Sequence, residues 1–138
     1  MKTPRGIRNN NPGNIDYRKA NNWQGRLPRD TDIEPRFERF SAPEYGIRAI
    51  MKLLGTYRRT YGDDTVARLI GRWAPPSEND TRSYVASVAR SAGVEPDEAL
   101  PYPLPPHVLL ALAKAIVKHE NGMDPYTDAI YNKALALV

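Results

Sequence analysis

The sequence predicts a mainly helical α+β domain with a small β-hairpin near its N-terminus. Two observations carry this expectation. From residue 41 onward, apolar residues recur at three- and four-residue steps between capping and stop signals, which is helical patterning. Before residue 41 the chain is rich in turn chemistry, with short extended stretches between the turns. At 138 residues the length fits one domain, 1–138, large enough to bury a real core.

Taken in order, Arg8-Asn9-Asn10-Asn11-Pro12-Gly13-Asn14 packs asparagines around a Pro-Gly dipeptide and predicts a turn. Residues 15 to 18 suit a short strand, and Asn21-Asn22-Trp23-Gln24-Gly25 a second turn. Phe37 and Phe40 flank charged residues, so residues 33 to 40 are expected to form the return of the hairpin, with Pro35 marking an edge strand. Ser41 and Glu44 have capping-box spacing and open a helix carrying Ile47, Ile50, Met51 and Leu54 on one face, ending near Tyr61-Gly62. Asp64 is expected to cap a shorter helix with Val66, Leu69 and Ile70, which Trp73-Ala74-Pro75-Pro76 interrupts. Ser77 and Asp80 again have capping spacing, ahead of a helix through Tyr84, Val85 and Val88 to Gly93. Residues 101 to 106 form a proline-rich loop. A helix over Leu109, Leu112 and Ile116 follows, and Asp124-Pro125 is expected to open the last one.

Composition narrows the chemistry. There are no cysteines, which excludes disulfides and thiolate catalysis. Two separated histidines, His107 and His119, argue against a histidine-rich metal site and leave only carboxylate sites open, and neither a metal nor another cofactor is expected. The net charge of +4 comes from scattered arginines and suits a polyanionic partner, a cell-wall polymer or nucleic acid. The polar N-terminus lacks the apolar core of a secretory signal, and no apolar run is long enough to span a bilayer.

The most informative single residue is Glu120. It stands four positions past Ile116, so it extends the buried stripe of its helix, and Gly122 stops that helix directly afterwards. A carboxylate in the last turn meets the negative end of the helix dipole. Burial and dipole both favour the protonated form, the state a general acid requires; the alternative is a solvated glutamate at a frayed helix end.

Three further segments are more polar than folding demands. The amides of Asn9, Asn11 and Asn14 can donate and accept, which suits sugar hydroxyls and N-acetyl groups, although each asparagine could equally cap its turn. The segment from Trp73 to Thr81 joins an aromatic platform to Glu78, Asp80 and Thr81; the hairpin contributes Asp30, Asp32 and Glu34. Trp23 and Trp73 could stack on sugar rings or bases, or serve as core.

The stretch Arg5-Gly6-Ile7-Arg8-Asn9-Asn10-Asn11-Pro12-Gly13-Asn14-Ile15 is followed by Trp23-x-Gly25, Phe37-x-x-Phe40, Gly46-Ile47-Arg48-Ala49, Trp73-Ala74-Pro75, Glu78-Asn79-Asp80-Thr81 and His119-Glu120-Asn121-Gly122. Over nearly the whole chain this resembles a family of small bacteriophage proteins, endolysins or virion structural proteins. Residues 9 to 90 also resemble, in the order of their parts, lysozyme-superfamily glucosaminidases downstream of the catalytic helix. The Glu120 helix resembles that missing helix, moved to the other end of the chain. The resemblance therefore implies a circularly permuted lysozyme-like fold.

On that resemblance the activity is cleavage of the peptidoglycan glycan strand, with Glu120 as general acid. A hydrolase would draw its second carboxylate from Asp30, Asp32, Glu34, Glu78 or Asp80; a lytic transglycosylase needs none. Substrate would be bound by Asn9, Asn11, Asn14 and Thr81, with Trp23, Trp73, Tyr84 and Tyr126 as walls of the cleft. The implied partner is bacterial peptidoglycan, reached in the periplasm through a holin or from the virion with other virion proteins. Two alternatives stand beside this one. One is a non-catalytic virion or glycan-binding protein; the other is a nucleic-acid-binding module, for which Arg58, Arg59, Arg68 and Arg72 offer charge but no recognised motif.

Overall fold

The computed structural model describes residues 2–74 and 80–138. Among the described residues there are six helices: α1 (Arg5–Arg8), α2 (Pro43–Tyr61), α3 (Val66–Trp73), α4 (Thr81–Ala92), α5 (Pro106–Asn121) and α6 (Asp128–Ala136). The chain divides into two compact units, residues 1–51 with 116–138 and residues 52–115, the divisions falling within α2 and α5.

In the first unit the expected hairpin is reduced to two isolated antiparallel bridges, Asp16 with Phe37 and Arg26 with Phe40. Ladder bonds form only beside these bridges, as in Tyr17 N to Arg36 O and Glu38 N to Ile15 O at 3.0 Å and Leu27 N to Arg39 O at 2.8 Å, and much of the remaining capacity goes to side chains and turns. The Asn11 carboxamide donates to the carbonyls of Ile15 and Glu38 at 3.0 Å and accepts the Ile15 amide at 3.0 Å. The Glu34 carboxylate accepts the amides of Arg36 and Phe37, both at 2.8 Å, and the Phe40 amide donates to Asn9 O at 2.9 Å. Pro28 and Pro35 bring no amide hydrogen at all. What the spacing reads as a strand pair is a loop braced by polar side chains.

Arg5 to Arg8, for which the sequence suggests no helix, form one helical turn. Helix α2 then packs closely on the asparagine turn through Gly46, where a Cβ would fall 2.0 Å from Asn10 O. Ile47, Ile50 and Met51 on its apolar face are buried, each contributing about 1.5–3 kcal/mol through the area removed from water. Helix α6 is tied to α2 by the Arg48 guanidinium, which donates to Leu137 O at 3.0 Å, and by the Lys133–Glu44 pair at 3.1 Å. It starts later than Asp124-Pro125 predicts, because Thr127 supplies the cap to Ile130 N. Asp124 instead accepts the Tyr126 amide and the Tyr131 hydroxyl, at 3.1 and 2.9 Å, which holds the segment before the helix in a turn.

In the second unit Thr65, not Asp64, caps α3 by accepting Arg68 N at 3.1 Å. Asp64 pairs with the Arg68 side chain at 3.2 Å and accepts Leu100 N through its carbonyl at 2.7 Å. Helix α4 begins where its spacing predicts, with Asp80 accepting Ser83 N, and α3 packs against it. Ser77, the other expected cap, lies outside the described residues. Val66, Leu69, Ile70 and Val88 are fully buried.

Candidate active site

Helix α5 delivers Glu120 as its sequence predicts. Ile116 and Val117 are buried one turn earlier, and Gly122 stops the helix at φ 71°, a left-handed conformation open to glycine at little cost. The Glu120 carboxyl is half-buried and its pKa is pushed above the ordinary value, chiefly by burial. A hydrogen bond from Asn14 and the charge of His119 pull the other way. The Asn14 Nδ2 to Glu120 Oε1 distance is 3.5 Å, at the outer edge of hydrogen bonding, and His119 is exposed to screening solvent. Burial therefore outweighs them, and the net shift of the Glu120 pKa is upward.

Asn14 reaches Glu120 from a backbone at φ 50°, a region that asparagine tolerates better than most residues. Its amide donates to Asn11 O at 2.9 Å, closing the turn predicted around Pro12-Gly13. Asn121, beside the acid, donates its carboxamide to Pro12 O and Val117 O, both at 2.8 Å, and so fastens the end of α5 to that turn. Gly6 makes this possible. A Cβ there would stand 2.6 Å from Asn121 Oδ1, 2.9 Å from Asn14 Oδ1 and 2.9 Å from Asn11 O, so only hydrogen fits. Both carboxamide oxygens, Asn14 Oδ1 and Asn121 Oδ1, are buried without a hydrogen-bond partner. Gly6 and Asn121 are absent from the sequence-based site because nothing in their spacing reveals the approach of α1 to the end of α5.

Of the three asparagines expected to bind substrate, Asn14 is the one brought to the acid. Asn11 is fully buried and spends its carboxamide on Ile15 and Glu38. Asn9 is buried and donates to Glu34 Oε1 at 3.0 Å. The indole Nε1 of Trp23 and the hydroxyl of Tyr126 are buried without partners, and burial raises the Tyr126 hydroxyl to about 12. Unpartnered buried polar atoms are uncommon in folded proteins and are natural places for a ligand's hydroxyls and amides.

The carboxylates considered as a second catalytic group are largely engaged. Glu34 is buried, forms a bidentate pair with Arg5 at 2.7 Å for both contacts, and accepts Asn9 as well. That hydrogen bonding, led by Arg5, holds its pKa far below the usual carboxylate range. Asp30 accepts the Asp32 amide at 3.0 Å in a tight exposed turn, and Asp32 is itself exposed. In the second unit Asp80 is the α4 cap, Thr81 donates to Ala74 O at 3.1 Å, and Tyr84 is buried. Trp73 meets Tyr57 edge-on at 6.3 Å. Glu78 lies outside the described residues. Sequence reading also missed Glu38, which is buried and bidentate to Arg26 at 2.9 Å, Arg26 in turn stacking over Tyr17. Among the described residues no three acidic or histidine side chains are gathered to hold a metal ion, and no helix is long and apolar enough to cross a membrane.

The arrangement can donate a proton from a half-buried carboxyl and can hold polar groups of a ligand at amide and hydroxyl positions beside it. No family model matches the sequence. The chain is similar to Protein P5 of Pseudoalteromonas phage PM2, with 39% identity over 126 residues that span 89% of this chain and 74% of that protein.

Proposed function

The chain belongs to the phage Protein P5 family, and from that premise we propose that it cleaves the glycan strand of peptidoglycan with Glu120 as the general acid. The observation that carries this reading is the meeting of two segments far apart in sequence. Asn14, in the asparagine turn, faces Glu120, and Asn121 is bonded to Pro12 of the same turn. In the lysozyme-like order such a turn follows the acid-bearing helix directly. Here it precedes that helix by most of the chain yet lies against it, as a circular permutation requires.

The protonated Glu120 carboxyl donates its proton to the leaving glycosidic oxygen as the C1–O bond breaks and an oxocarbenium-like centre develops. The group placed beside Glu120 is an amide, Asn14, which suits the route in which the sugar's own hydroxyl closes onto C1. In that route the Glu120 carboxylate takes back the hydroxyl proton, so acid and base are one residue and no second carboxylate is needed. Hydrolysis, with water in place of the hydroxyl, gives a reducing end instead. In the phage setting the target is reached from the virion or from the infected cell.

Turbidity of outer-membrane-stripped Gram-negative cells tests the proposal. Wild-type protein is expected to clear them and Glu120→Gln to fail. Equal clearing by both would remove Glu120 as the acid. Glycan binding without released fragments would instead favour a non-catalytic virion component. Mass spectrometry of the fragments separates anhydro from reducing ends and so decides between transglycosylase and hydrolase.

A further inference from the structure

Within the first unit a cavity of about 330 Å³ opens beside the asparagine turn, near the lower end of the roughly 300–1,000 Å³ common for small-ligand sites. Arg8 and Arg39 line it together with the apolar residues Leu27, Ile33 and Phe40, and no acidic residue is among its lining. The state of these two arginines differs from that of three others in the same unit. Arg5, Arg26 and Arg36 are each paired with a carboxylate, of Glu34, Glu38 and Asp16 respectively. Arg8 is exposed and has no carboxylate partner among the described residues, and Arg39 spends one nitrogen on Pro28 O at 2.9 Å. Ile33 on the same wall is 60% exposed, an apolar side chain left in water next to two cations.

Two arginines without a carboxylate partner among the described residues, Arg8 and the partly engaged Arg39, beside a small apolar wall match one kind of ligand well: a carboxylate carried next to a small aliphatic group. We infer that this cavity binds the free carboxylates of the short peptide stems attached to the glycan strand. The inference rests on the proposed glycan substrate and adds a second point of recognition to it. A stem held by Arg8 and Arg39 fixes the strand from the asparagine turn, the same turn that carries Asn14 to Glu120. The chain would accordingly distinguish peptide-bearing glycan from bare glycan. That distinction is separate from the proton transfer itself.

The test is binding, read by the side-chain Nε resonances of the arginines in the full chain. The probes are a muramoyl peptide with free carboxylates, the same compound with its carboxylates amidated, a peptide-free chito-oligosaccharide, and inorganic phosphate. The free acid is expected to shift the Arg8 and Arg39 signals, while amidation, Arg8→Gln or Arg39→Gln each weakens binding roughly tenfold. The chito-oligosaccharide is expected to leave both signals in place. Equal affinity for the amidated compound overturns the inference, as does unchanged affinity in Arg8→Gln, an exposed position where folding is not at risk. Phosphate binding as tightly as the peptide would reduce the cavity to a general anion site and also overturn it. Lysis by the wild type without peptide binding here refutes this inference alone; peptide binding here without any glycan cleavage refutes the proposed activity alone.

Discussion

Asn14 directs its carboxamide at Glu120 Oε1 across 3.5 Å of space and 106 positions of sequence. The pairing places a neutral donor against an acid whose burial already favours the protonated form. Asn14 is therefore the residue through which the acidity of Glu120 can be adjusted.

Replacing Asn14 with glycine tests this adjustment. Glycine accepts φ 50° without strain and removes only the carboxamide. Because the Asn14 hydrogen bond lowers the Glu120 pKa, Asn14→Gly is expected to move it further up, as measured by carboxyl NMR titration. A downward shift would mean that Asn14 does not act on the carboxylate.

The raised Glu120 pKa also fixes the direction of the pH responses. Cleavage needs the protonated acid, so kcat/KM is expected to fall as pH rises through a pKa above the ordinary 4.5. The folded state binds the proton more tightly than the unfolded one, so this group's stabilising contribution is complete below the unfolded pKa and is lost as pH rises through the folded pKa. Glu120→Gln is thus expected to gain stability over wild type at neutral pH, a gap that closes in acid. Urea unfolding at several pH values measures it.

Gly6→Ala is expected to be costly although the residue touches no substrate. Its Cβ would meet Asn121 Oδ1 at 2.6 Å, and the two other neighbours at 2.9 Å include a backbone oxygen that cannot swing aside. A loss of about 1–3 kcal/mol is expected in chemical unfolding. A shifted Glu120 titration should accompany it, since both asparagines beside the acid must move. A fully stable variant with unchanged titration would refute the role given to Gly6.

Glu34→Gln should separate structure from chemistry. The carboxylate is 3% exposed and has five donor contacts, while its partner Arg5 keeps 40% exposure. Removing the charge is expected to cost roughly 2–3 kcal/mol at neutral pH, below the usual figure for a fully buried pair because Arg5 is solvated. A depressed folded pKa confers stability above the unfolded pKa that is lost as pH falls through the folded one, so variant and wild type should converge only in strong acid. An unmoved Glu120 titration in this variant would show that the two carboxyls are separate systems.

Tyr126→Phe removes a buried hydroxyl that has no partner. In the free protein the change is expected to be neutral or slightly stabilising, because an unmet hydrogen-bonding group is lost. Binding of a glycan fragment is expected to weaken roughly fivefold to tenfold if that hydroxyl meets the sugar. Titration calorimetry with Tyr126→Phe and wild type compares the two; equal affinities would take Tyr126 out of the cleft.

The helix ends were the most legible part of the chain. Leu109, Leu112 and Ile116 mark the face of α5, Gly122 marks its stop, and those local signals were enough to put Glu120 in the last turn at the edge of the buried stripe. The hairpin was misread for a physical reason. Phe37 and Phe40 flank charged residues as strand residues do, but whether a backbone amide joins a ladder depends on competing acceptors, and here Glu34 accepts the Phe37 amide, Asn9 O the Phe40 amide and Asn11 Oδ1 the Ile15 amide. Asp64 and Asp124 show the same ambiguity on a smaller scale. Each was a plausible helix start by type, and each was assigned elsewhere by its three-dimensional partners.

By itself, then, the sequence determined helices α2 to α6, their starts to within a few residues, and an acid in an electrostatically awkward position, because those follow from interactions within a few positions of one chain segment. The tertiary structure alone decided which polar residues are free to act. It committed Glu34 to Arg5 and Asn11 to the backbone, and it left Glu120 beside Asn14. Hydrogen-bond donors and acceptors are satisfied by whatever lies within about 3 Å in space, and across separations such as that between Pro12 and Asn121, nearness in space is a property of the folded chain and not of its residue order.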